Sequence, residues 1–125
     1  MTIATTACFI LFASVCVSAQ ETSVIACNPK AISAEQKPRH SALTKRLHTA
    51  ARGTQDLPDG YAILLDSKAI TLPEVAEWIS MERLCCPFLI FQLSTSGNQT
   101  EWTLKLTGPA GSKRILEAAF APASK

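Results

Sequence analysis

The stretch TLPEVAEWISMERLCCPFLIFQL, residues 71–93, decides how the chain reads. Thr71 and Glu74 stand three positions apart as a capping box, and Pro73 falls in the first turn, where its missing N–H costs little. Leu72, Val75, Ile79, Glu82 and Cys86 then recur at offsets of 0, 3, 7, 10 and 14, a single helical face. Pro87 disfavours helical geometry at Cys86, so the helix should end there and the chain turn directly into a strand. Phe88 to Leu93 is aromatic and branched, which is strand chemistry. A helix running straight into a strand sets the frame for both sides of the segment.

Downstream, Ser96-Gly97-Asn98 supplies a hairpin turn. Trp102, Leu104 and Leu106 alternate with Glu101, Thr103, Lys105 and Thr107, as in a strand with one wet face. Gly108 to Gly111 breaks that strand, and Ser112 is expected to cap a last helix with Ile115, Leu116, Ala119 and Phe120 inward and Ala121-Pro122 at its end. Upstream, Leu57-Pro58-Asp59-Gly60 is turn chemistry and launches a strand from Tyr61 to Leu65. Residues 33–52 read as a first helix, opened by Ser33 and Gln36, bent or delayed by Pro38 and closed by Gly53, with Leu43, Leu47 and Ala50 as its apolar stripe. The order αβαββα predicts a small α+β two-layer sandwich: a three-stranded sheet with helices on one face and the N-terminal helix at its side or edge.

The chain has 125 residues, 47% hydrophobic and 18% charged, with a net charge of +2, which fits one domain and excludes disorder. That charge is too small to imply a nucleic-acid partner. Lys30, Lys37, Arg39, Lys45, Arg46 and Arg52 face only Glu35 between residues 30 and 52, which reads as a solvated helix face. Ala7 to Val17 is an uncharged apolar run followed by Val17-Ser18-Ala19, the form of a signal peptide cleaved after Ala19. About eleven apolar residues fall short of the roughly 20 needed to span a bilayer, so no stable membrane span is expected after cleavage. Val24-Ile25-Ala26-Cys27 has the form of a lipidation site, but Glu21 separates it from the apolar run. The expectation is residues 1–19 as signal, residues 20–125 as one exported domain, and a secreted or periplasmic location.

Five cysteines become three in that mature domain: Cys27, Cys85 and Cys86. Adjacent helical residues differ in direction by about 100°, so Cys85 and Cys86 should not both face the core, and Cys85 should lie toward Trp78 and Met81. Three readings stay open. Cys27, Cys85 and Cys86 together would make a three-thiolate site for a soft ion such as Cu(I), Hg(II) or Zn, with Glu82 beside it to accept a proton or a hydrogen bond. Cys27 paired with Cys85 or Cys86 would staple a structural or interaction domain, closing a loop of roughly 60 residues worth about 4 kcal/mol. All three buried as small hydrophobes would carry no chemistry. A disulfide oxidoreductase would need Cys-x-x-Cys at a helix N-terminus; this pair has other spacing and sits at a C-terminus, whose negative dipole end opposes thiolates and welcomes a cation. A thiol-dependent lyase acting on an organometal bond is the enzymatic alternative. His40 and His48 read as satisfied or solvent-facing, Gly108 to Lys113 is too short for a phosphate loop, and Asn98-Gln99-Thr100 is a glycosylation sequon at a hairpin tip.

The run Glu82-Arg83-Leu84-Cys85-Cys86-Pro87-Phe88-Leu89-Ile90-Phe91 resembles a family of small, largely uncharacterised bacterial proteins marked by Glu-Arg-x-Cys-Cys-Pro-Phe-x-x-Phe. Asp59-Gly60-Tyr61 and the run from Leu106 to Lys113 are similar to other marks of the family, and Cys27 resembles the lone Cys that opens such domains. Similar segments occur joined to regulators of the mercury-resistance type. The resemblance therefore implies a link to thiophilic metals and supplies no catalytic residue; the signal peptide departs from intracellular members.

Overall fold

Residues 25–122, described by a computed structural model, form three α-helices and four strands. A short 3-10 turn, Pro29–Ala31, precedes α1 (Lys37–Ala50), β1 (Ala51–Leu57), β2 (Gly60–Asp66), α2 (Leu72–Cys85), β3 (Ile90–Thr95), β4 (Glu101–Thr107) and α3 (Ser112–Phe120). The strands make one antiparallel sheet in the order β1-β2-β4-β3. The segment read as a signal peptide, 1–19, lies outside the described residues. Among the described residues, no helix is long and apolar enough to cross a membrane.

The α+β class holds, but the sheet has four strands where the sequence predicts three. The additional strand, β1, is polar and almost wholly exposed. It forms because Pro58-Asp59 folds it back on β2, pairing Leu57 with Gly60 and Thr54 with Ile63. Gly53, expected to end the first helix, instead lies in β1, where the register shifts between Ala51 and Gly53 in a bulge. The helix ends earlier, at Ala50, and starts later, at Lys37. Ser33 and Gln36 do make both reciprocal hydrogen bonds of a capping box, at 3.2 Å each, but one turn ahead of the α-helix. Pro38 then occupies the opening turn, where no backbone bond is lost.

At α2 the local signals hold: Glu74 N–H donates to Thr71 Oγ1 and Thr71 N–H donates to the Glu74 carboxylate, closing the capping box. The buried row differs from the predicted one. Val75, Trp78, Met81 and Cys85 are buried, while Leu72, Ile79 and Glu82 are half-buried at its margin. Trp78 decides this rotation, since its large ring fills the space between helices and sheet and its indole N–H donates to Thr44 Oγ1 at 3.0 Å. The sheet face beneath is set by register: Tyr61 opposes Leu106 and Ile63 opposes Leu104, and all four join Leu43, Leu47, Trp78 and Leu116 in one core.

The basic run near α1 is largely answered within the fold: Arg39 pairs with Glu77, Arg46 with Glu74 and Arg52 with Asp66. In α3, Gly111 at φ 96° is the N-cap and Ser112 is buried with no hydrogen-bond partner for its hydroxyl among the described residues, so the expected cap at Ser112 is not made. Ile115 is half-buried and Ala119 is exposed, leaving Leu116 as the buried apolar anchor with half-buried Phe120 packed against the core. Lys113 ties this helix to the edge hairpin, donating to the Leu57 carbonyl at 2.6 Å and pairing with Asp56 at 2.8 Å.

Candidate cysteine site

The site is assembled where α2 stops. Cys85 is the last helical residue, and Cys86 leaves helical geometry at φ −120°, ψ 71°, as expected for a residue ahead of proline. This departure corrects the expectation that the two cysteines cannot both face inward. Freed from the 100° helical step, Cys86 turns under the helix, and Cys85 and Cys86 are only 7% and 2% exposed. Cys86 N–H still donates to the Glu82 carbonyl at 2.8 Å, so the helix is capped by the cysteine itself.

Cys27 arrives from the segment ahead of α1. Asn28 caps the 3-10 turn by accepting from Lys30 N–H, and its own N–H donates to the Cys85 carbonyl at 2.8 Å. Ile32, 4% exposed, anchors the far end of the segment in the core. The segment from Asn28 to Ile32 is held at both ends, Cys27 next to it stands against the helix terminus, and the sulfurs of Cys27, Cys85 and Cys86 all lie within 4.8 Å of one another. Cys27 and Cys86 stand at bonding distance as a disulfide, with Cα atoms 4.5 Å apart, and Cys85 is a free buried thiol. Of the two pairings left open by the sequence, the geometry selects Cys86.

Glu82 lies beside the cluster, with Oε1 3.5 Å from Cys86 Sγ. A disulfide sulfur has no proton to donate, so this contact is a hydrogen bond only when Cys86 is a thiol. The other carboxylate oxygen lies 2.6 Å from His40 Nε2, and both side chains are about one-fifth exposed. His40 in turn lies parallel to Trp78 with the ring centroids 6.4 Å apart. His40, which the sequence reads as satisfied or solvent-facing, is satisfied by Glu82, 42 positions away, and only the packing of α1 on α2 brings them together. His48 stacks on Phe120 instead, away from the cysteines.

The electrostatics favour neutral thiols or a cation. Burial pushes the Cys85 thiol above its ordinary value, the Glu82 charge pushes it further, and the Asn28 backbone N–H offsets part of this. The carbonyls at the end of α2 add the negative end of a helix dipole. Three free thiolates would be strongly disfavoured here, whereas thiolates sharing a positive ion would have their charge cancelled within the site.

Comparison with known proteins finds no family model, no curated protein and no solved structure that matches the chain.

Proposed function

We propose that this protein is an exported module that binds a soft metal or metalloid ion through the thiolates of Cys27, Cys85 and Cys86. The observation that carries the reading is the convergence of three sulfurs within 4.8 Å, two from the end of α2 and one from a separately anchored segment. A sulfur-only donor set selects thiophilic ions, Cu(I), Hg(II) and Zn among them, over Ca or Mg. Glu82 adds a carboxylate that accepts a hydrogen bond from Cys86 in its thiol form. The apolar run and small-residue site ahead of Ala19 support export, and the resemblance to segments joined to mercury-resistance regulators supports a thiophilic cargo.

Titration of the fully reduced chain with Hg(II) should raise thiolate-to-metal absorption that saturates at one ion per chain. Cys86→Ser should abolish the three-sulfur band. An unchanged spectrum in the reduced native chain would overturn the reading.

The second reading is favoured by the Cys27–Cys86 bond itself: a disulfide-stapled structural or interaction domain without metal chemistry. Counting alkylatable thiols with and without reductant separates the two resting states. Three thiols in the protein isolated under oxidising conditions would sink the staple, whereas one thiol that never yields a metal-binding form on reduction would establish it.

A further inference from the structure

The Cys27–Cys86 bond and a three-thiolate site use the same atoms, so the two states exclude one another. The segment carrying Cys27 does not depend on that bond alone for its position. The Asn28 N–H to Cys85 carbonyl hydrogen bond pins it beside the sulfur cluster, and buried Ile32 fixes its other end. Breaking the disulfide would thus leave Cys27 facing Cys85 and Cys86.

We infer that the Cys27–Cys86 disulfide is a two-electron gate on the proposed metal site, closed when oxidised and opened by a dithiol donor that attacks Cys27. This rests on the metal-binding reading above and adds its regulation. The direction of attack follows from access: Cys27 is half-buried, while Cys86 is 2% exposed and walled in by the helix end. A donor thiolate forms a bond to Cys27 Sγ, and the Cys27–Cys86 bond breaks with its electron pair leaving on Cys86. Cys86 then takes a proton and presents an S–H to Glu82 Oε1, 3.5 Å away. The donor's second thiol attacks its own sulfur in the mixed disulfide, releasing Cys27. The donor ends as a disulfide, oxidised by two electrons; its two protons end on Cys27 and Cys86. Cys85, already a thiol in the closed state, completes a set of three.

The test uses the purified chain in oxidised and dithiothreitol-reduced forms, the latter freed of reductant. Hg(II) is titrated against excess iodide, with amide exchange at Asn28 followed in both forms. A donor protein whose second cysteine is replaced by serine traps the mixed disulfide for peptide mapping. The gate predicts a trap at Cys27, an Asn28 amide that stays protected after reduction, and Hg(II) binding about 100-fold or more tighter in the reduced form. Equal binding by both forms would overturn the gate and leave the metal reading standing. A reduced chain with three titratable thiols and a protected Asn28 that still refuses Hg(II) would overturn the metal reading itself. A trap at Cys86, or an Asn28 amide exchanging as in an unfolded chain after reduction, would overturn the gate.

Discussion

At the residue scale, the site depends on one cysteine leaving helical geometry while its neighbour stays inside it. Pro87 produces that difference, and it brings adjacent sulfurs to one side of the chain. The free thiol at Cys85 is the residue most open to a direct check. Its raised pKa means that the folded chain holds this proton at a pH where the unfolded chain has released it. Stability contributed by the thiol is therefore present below its ordinary value of 9.0 and is lost as pH rises through the higher native value. Alkylation of the oxidised chain by iodoacetamide at pH 9 should be slower at Cys85 than in the urea-unfolded chain, read by mass spectrometry. Equal rates would show that neither burial nor Glu82 holds the thiol neutral.

At the element scale, what was legible in the sequence was what local chemistry determines. Thr71, Pro73, Glu74 and Pro87 all act within a turn or two of themselves, and α2 begins and ends where they place it. The alternation from Glu101 to Thr107 likewise delivers β4, because one face of that strand must be buried. β1 was not legible, since Arg52, Gln55 and Asp56 give no strand signal and pairing with β2 alone makes it a strand. The inward row of α2 is shifted by one residue from the face its sequence predicts, because Ile79 and Trp78 compete for the core and only packing settles which wins. The three cysteines were legible as a set, but their pairing depended on the geometry of Cys86 and on the anchor at Ile32.

The β2–β4 pairing at the centre of the sheet supplies a sharp element-level test. A Cβ at Gly60 would stand 1.9 Å from the Leu106 carbonyl oxygen and 2.9 Å from Thr107 Cα, both backbone atoms that cannot turn away. Gly60→Ala should cost about 3 kcal/mol or force the strands apart, measured by urea denaturation. Gly53→Ala meets nothing within 4 Å and serves as the control. Equal stability in the two variants would contradict the register.

At the scale of the whole molecule, the question is how much of the fold the disulfide holds. The bond spans 59 positions, and constraining a loop of that length is worth about 4 kcal/mol in the chain-entropy model. The core it staples is continuous without it, running from Leu43 and Leu47 through Trp78 to Leu65, Leu104 and Leu106. The reduced chain should therefore unfold cooperatively at a lower urea midpoint, with native-like near-ultraviolet dichroism from Trp78 and Trp102 before the transition. Loss of that dichroism on reduction alone would make the disulfide a condition of folding and would remove the ground for an open, metal-ready state.

In the proposed open state the reduced protein presents three thiolates to one soft ion. X-ray absorption of the reduced chain loaded with one equivalent of Hg(II) measures this most directly by counting the sulfur neighbours of the ion. Three are expected in the native chain and two in Cys85→Ser, which keeps the Cys27 and Cys86 pair. A shell dominated by oxygen or nitrogen, or two sulfurs in both proteins, would contradict it.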